Sequence, residues 1–270
     1  MKSTKPKPMD AIERAKKIAA GPLGRETARY PLIFASPIAF GGRPRRDSEF
    51  KVKNATVSLL RLDCGPIAVT AQHVIEGYRK LADEGIDLIL QIGDALIKDP
   101  LARLIDESKQ HDLATLRLKE HELKAIGRHH EKISKQAYEP MGWPPGVPKV
   151  GDWVAFGGFP RRLRIIRSWN EIEFRTFSCG STDITSVTDE GFKCRFDRES
   201  WVTHDPDGVG SLGFKDFGGL SGGPVFLLGS SGKLTILPLV GFVTEFGPNF
   251  DVLCVAHAKH IRRDGTTESR

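Results

Sequence analysis

Long apolar runs are missing from this 270-residue chain. A membrane-spanning helix needs about 20 mostly apolar residues, and the longest candidate stretch, Thr235 to Val243, is broken by Pro238 and Gly241. The amino terminus is basic, Met1-Lys2-Ser3-Thr4-Lys5, but no apolar segment follows it, so it does not read as a secretory signal. The expectation is a cytoplasmic protein with no membrane span. Cysteine is scarce: Cys64, Cys179, Cys194 and Cys254 are widely spaced, with no Cys-x-x-Cys pair. That speaks against a zinc site and for reduced thiols, with a Cys179–Cys194 bridge left open. His257 and His260 are too isolated from carboxylates and thiols to suggest a metal, and His129-His130 reads as a solvated helix end. Neither a metal nor a cofactor is expected. The sequon Asn54-Ala55-Thr56 carries little meaning without secretion.

A strong overall charge is also lacking once the charge is mapped. The formal net charge is +6. Residues 1–46 hold eleven Lys and Arg against three Asp and Glu, and the remaining residues hold 29 against 31. Basicity therefore belongs to an amino-terminal arm, and the body is slightly acidic. No nucleic-acid partner is expected. The arm itself reads as a solvated tail or, more sharply, as a docking element for an acidic protein partner or a membrane surface.

What is present is a succession of short β-like runs divided by Gly, Pro and Asp. They include Leu32 to Phe40, Ala55 to Leu62, Pro66 to Ala71, Ile86 to Ile92, Leu113 to Leu118, Trp153 to Phe156, Glu171 to Phe177, Phe192 to Phe196, Pro224 to Leu228, Leu234 to Val243 and Val252 to His257. Helical patterns are few: Asp10 to about Ala20, Val74 to Glu84, and Lys119 to about Lys132. The expected class is all-β, divided into a basic arm with a short helix (1–29), a first β half (30–140), a Pro/Gly-rich linker (141–149), a second β half (150–260) and a tail (261–270).

Three segments carry chemistry together. In Val69-Thr70-Ala71-Gln72-His73-Val74 an apolar run delivers a histidine just before a helix. In His111-Asp112-Leu113-Ala114-Thr115-Leu116 an aspartate opens a strand, with His111 as a bystander. In Gly218-Gly219-Leu220-Ser221-Gly222-Gly223-Pro224 a serine sits in a glycine-rich turn before a strand. Acyl transfer asks for these types. A serine hydroxyl needs an adjacent base. Histidine has the pKa to take the proton and return it. A carboxylate fixes the imidazole tautomer. Backbone N–H groups must converge on the developing oxyanion, and a turn with Gly219 can present its own N–H beside that of Ser221. Gly208-Val209-Gly210-Ser211-Leu212-Gly213 matches a dinucleotide-binding pattern but lacks the strand before it and the helix after it, so it reads as a loop.

Thr-Ala-x-His, Asp-Leu-Ala-x-Leu and Gly-x-Ser-Gly-Gly-Pro, in that order, resemble the chymotrypsin-like (trypsin-like) serine proteases, bacterial members in particular. Val150 to Pro160 and Val240 to Thr244 fit the same resemblance, which spans residues 30 to 260. It implies two six-stranded β-barrels with the active site between them, His73 and Asp112 from the first and Ser221 from the second. It also implies an oxyanion hole at Gly219 and Ser221, and a peptide or protein substrate lying along Thr244, Glu245 and Phe246. Lys215 falls where such proteins set primary specificity. With Phe246 it disfavours cleavage after Lys or Arg and points to a small or acidic residue. Leu220 stands where many digestive members carry Asp, so activation by a freshly cut amino terminus is not expected. The resemblance implies a serine endopeptidase. The competing expectation is a silent or latent protease-fold module that a partner switches on.

Overall fold

The computed structural model describes residues 21–42, 52–84, 88–127, 133–168, 171–195, 217–228, 237–247 and 252–268. The expected helix at Asp10–Ala20, the loop at Gly208–Gly213 and Lys215 lie outside the described residues.

The first described element is a helix, α1 (Pro22–Ile33), which runs through the start of the run expected as strand from Leu32. Its buried residues are Gly24, Ala28, Pro31 and Leu32. That spacing of four, three and one is helical, but two of its members are Gly and Ala and give little apolar signal. Strands β1 (Ala35–Gly42), β2 (Val52–Leu62) and β3 (Gly65–Thr70) follow, then α2 (Gln72–Asp83), β4 (Leu88–Ile92), β5 (Ala95–Leu96), β6 (Leu104–Ser108), β7 (Leu113–Arg117) and the short α3 (Glu120–Ile126). These strands form one antiparallel sheet in the order β5-β4-β1-β2-β3-β7-β6. After residues 133–152 come β8 (Trp153–Gly158), the hairpin β9 (Arg164–Ser168) and β10 (Glu171–Phe174), then β11 (Phe177–Val187), β12 (Gly191–Arg195), β13 (Pro224–Leu228), β14 (Leu239–Gly247) and β15 (Val252–His257). Six of them close a barrel, β11-β12-β15-β14-β13-β8, and β9 pairs with β10 apart from it.

The expectation of two six-stranded barrels is therefore wrong in its first half. The chain folds one closed six-stranded barrel and one open seven-stranded sheet. Closure needs the two edge strands to pair, and here β5 is only two residues long. The other edge, β6, is met by the end of the chain. The Thr267 N–H donates to Asp106 Oδ2 at 2.9 Å, and Thr115 Oγ1 donates to the Gly265 carbonyl at 2.7 Å.

Strand β2 explains how sheet and barrel meet. It is buried on both faces over Ala55–Leu60. Ala55, Val57 and Leu59 point into a core with Ile38, Phe40, Val74 and Tyr78. On the alternate face, Leu60 packs in a cluster that also holds Phe226, Leu239 and Phe242 of the barrel. Thr56 and Ser58 share Leu60's face and are fully buried. Two hydroxyls on that face need partners, and they find them in the serine loop. Helix α1 lies against β8 and β11, close enough that a Cβ at Gly180 would stand 3.0 Å from the Gly24 carbonyl. The buried Lys135 ammonium, pushed down to about 7 by burial, donates to the Leu32 carbonyl at 2.6 Å and closes this helix's last turn. All four cysteines are free thiols. No described helix is long and apolar enough to cross a membrane.

Candidate active site

His73 is the second residue of α2, held at the surface by Val74, Ile75 and Tyr78 buried beneath it. The residue before the helix, Ala71, has no side chain to cap it, so the first amides need an acceptor from elsewhere. Asp112 supplies it. Its Oδ1 accepts from the His73 main-chain N–H at 2.9 Å, and its Oδ2 meets the His73 ring at Nδ1, 2.8 Å away. One carboxylate thus caps the helix and orients the imidazole. With the aspartate ionised, Nδ1 carries the hydrogen and Nε2 is left as the basic nitrogen. The hydrogen bond to Asp112 raises the His73 pKa above its ordinary value against the opposing effect of burial, and the charges of Asp112, Glu245 and Glu76 add to the rise.

Asp112 sits in the turn before β7 with φ +50°, a left-handed backbone that Asp tolerates better than most residues. Behind it the His111 ring stacks on His260, centroids 3.7 Å apart. His111, expected as a bystander, is buried and packs this turn against the segment that follows the barrel.

Ser221 lies opposite, in the loop entering β13. The hydrogen bonds of this loop leave a definite remainder. The Gly218 carbonyl accepts from the Arg161 N–H at 2.6 Å, and that of Leu220 from the Gly223 N–H at 2.8 Å. The Gly219 carbonyl accepts from Thr56 Oγ1 at 2.7 Å and the Gly222 carbonyl from Ser58 Oγ at 2.7 Å. The Ser221 carbonyl accepts from the Thr56 N–H at 3.0 Å. Among the amides, Leu220 donates to the Phe217 carbonyl, Gly222 to that of Val243 and Gly223 to that of Leu220. Among the described residues the N–H groups of Gly219 and Ser221 donate to nothing. In a trans peptide N–H and C=O point opposite ways, so the bonds that hold the Gly218 and Leu220 carbonyls also fix where those two amides aim.

Gly219 and Gly222 carry φ +102° and +91°. A Cβ at Gly222 would stand 2.1 Å from the Thr56 carbonyl. Strain and collision together make Gly222→Ala costly by roughly 3 kcal/mol, or about 6–12 °C of melting temperature for a protein of this size. A calorimetric scan checks this, and an unchanged Tm would contradict the tight apposition.

His73, Asp112 and Ser221 line one cavity of about 380 Å³, together with Thr244, Glu245 and Phe246. The Ser221 hydroxyl donates to the Thr244 carbonyl at 3.0 Å, and no hydrogen bond joins it to His73. Phe217 and Phe246 meet edge-on in the cavity wall, centroids 4.8 Å apart. Among the described residues no Lys or Arg lines the cavity, whereas Asp112 and Glu245 do. Of the site residues expected from the sequence, Lys215 alone is outside the described residues.

Sequence reasoning missed Thr56, Ser58 and Arg161. The available signal was the alternation Asn54, Thr56, Ser58 in a strand whose other residues from Ala55 to Leu60 are apolar. Asn54 and Thr56, the ends of the sequon, are both engaged in the structure: Asn54 Nδ2 donates to the Phe159 carbonyl at 3.0 Å and Thr56 is fully buried.

A β-barrel and a β-sheet sharing one apolar interface, with a histidine–aspartate pair on the sheet and a serine loop on the barrel, define the architecture of the site. No protein-family model and no curated protein matches the chain. Among solved structures, a thermostable serine protease, AL20, from an extremophilic microorganism aligns over 83% of this chain and 91% of its own, with 13% identity and a TM-score of 0.44.

Proposed function

We propose that the chain is a serine endopeptidase working through an acyl-enzyme. Ser221 Oγ attacks the carbonyl of the scissile peptide bond while His73 Nε2 takes its proton. Asp112 holds the ring and stabilises the imidazolium. The negative oxygen is received by the amides of Gly219 and Ser221. The C–N bond then breaks as His73 returns the proton to the leaving amine, and water, activated by the same ring, frees the acyl group. The observation that supports this reading above others is the loop's hydrogen-bond remainder. Five successive carbonyls are engaged, and the two idle amides are the pair that acyl transfer requires.

For attack the hydroxyl must turn from the Thr244 carbonyl to the imidazole. An extended peptide laid along Thr244–Phe246 offers main-chain N–H groups that can take over that carbonyl. Phe217 and Phe246 narrow the cavity and favour a small side chain beside the scissile bond. Glu245 lies in the same wall with no basic residue beside it in the lining, so a Lys or Arg at the substrate position that passes it is favoured. Glu245→Gln should weaken that preference about two- to fivefold, the range of an exposed ion pair. Peptide-library digestion reads it, and an identical profile would contradict the assignment.

The Ser221–Thr244 hydrogen bond also favours a second reading, a latent enzyme whose hydroxyl is turned by a partner. One experiment addresses both: the wild-type chain is treated with a fluorophosphonate probe and mass-mapped, alone and with a peptide substrate. Labelling at Ser221 together with peptide cleavage is expected. Labelling absent under both conditions would sink the endopeptidase reading.

A further inference from the structure

We infer that Thr56, on the sheet opposite the nucleophile, is a positioning residue that aims the oxyanion-binding amides through its side-chain hydroxyl. The inference rests on the serine-protease reading above. Strand β2 outruns its neighbour β3: the pairing of the two ends with Ser58 opposite Val69. Beyond that point Thr56 faces the serine loop, and its main-chain N–H is taken by the Ser221 carbonyl at 3.0 Å. Its carbonyl accepts from Thr70 Oγ1 at 2.9 Å. The residue is thus fixed at both main-chain groups before its side chain is considered.

The side chain does two things at once. Oγ1 donates to the Gly219 carbonyl at 2.7 Å and accepts from the Phe159 N–H at 2.9 Å. Phe159 belongs to the segment whose Arg161 N–H holds the Gly218 carbonyl. The hydroxyl therefore ties together the two strands of chain that set the peptide planes on either side of Gly219. Rotating the Gly218–Gly219 plane would swing the Gly219 N–H away from the cavity, and rotating the Gly219–Leu220 plane would turn the chain that leads to the second donor, the Ser221 N–H. Gly219 has φ +102° and no side chain to resist such rotations, so the restraint comes from the two carbonyls that flank its planes, that of Gly218 on the Arg161 N–H and its own on Thr56. The fit is close: a Cβ at Gly158 would stand 2.5 Å from Thr56 Oγ1. Ser58 secures the carbonyl of Gly222, which lies past the nucleophile and does not control the Gly219 amide.

The test uses the full chain and compares Thr56→Val, which keeps shape and removes the hydroxyl, with Thr56→Ser, which keeps the hydroxyl. Thr56→Val is expected to lower kcat about 10- to 100-fold, part of the cost of losing an oxyanion donor, with KM within about threefold. Affinity for a peptide aldehyde, whose hemiacetal oxygen needs the same amides, should fall by the same factor as kcat. Thr56→Ser should restore kcat to within about threefold of wild type. If Thr56→Val fails to fold, Thr56→Ala takes its place against Thr56→Ser with the same expectations. Wild-type kcat in the hydroxyl-free variant, or equal losses with and without the hydroxyl, would overturn the inference while leaving the protease reading intact. A wild-type chain that neither cleaves peptides nor labels at Ser221 would overturn both.

Discussion

Ser221→Ala is expected to abolish fluorophosphonate labelling and to lower kcat by about 10⁵- to 10⁶-fold, the scale measured when a nucleophile that works as part of a triad is removed. A residue of catalysis over the uncatalysed rate should survive, because the amides of Gly219 and Ser221 and the substrate contacts remain. The substitution is structurally mild. The hydroxyl makes one hydrogen bond, to the Thr244 carbonyl, at a partly buried position, and every main-chain bond that shapes the loop persists. Tm should therefore stay near wild type, which separates loss of chemistry from loss of fold. An alanine variant that hydrolyses peptides at the wild-type rate would assign Ser221 to an ordinary turn.

Asp112→Asn is expected to cost about 10⁴-fold in kcat, for a reason visible in its two hydrogen bonds. The asparagine carbonyl oxygen can go on accepting from the His73 N–H and keep the helix capped. Its amide group then faces Nδ1, which must become an acceptor, and the ring hydrogen moves to Nε2, where the base is needed. The wrong tautomer faces the serine although nothing has moved. The pH profile reports the same interaction. Because Asp112 raises the His73 pKa, the protonated, non-basic ring persists to higher pH than a free histidine. Wild-type kcat/KM should accordingly rise with pH through an inflection above the ordinary histidine value of about 6.5. In Asp112→Asn the residual activity should show that inflection moved downward. An inflection at the same pH in both would show that the carboxylate does not set it.

The class of structure and the site residues differ in how far the chain announces them. The runs at Pro224–Leu228 and Val252–His257 coincide with strands, the first set between Gly223 and Gly229 and the second opened by Asp251. His73, Asp112 and Ser221 could be singled out because residue type and local setting coincide: small residues before a helix, a turn before a strand, glycines around a hydroxyl. Barrel closure could not be read the same way. It depends on whether Ala95–Leu96 and Leu104–Ser108 meet, and the brevity of β5 is settled by non-local packing. Helix α1 was hidden because its contact face is built on Gly24 and Ala28, residues that pack closely without being strongly apolar. Thr56 was hidden more deeply. A threonine in a strand is ordinary, and its partner Gly219 lies 163 positions away.

The end of the chain has a practical bearing. Residues 260–268 reach back across the molecule, with Thr267 bound to Asp106 and His260 stacked under His111 beside the aspartate's turn. Removing or displacing residues 260–268 would thus act on the carboxylate from behind and mimic an active-site lesion without altering any residue of the cleft.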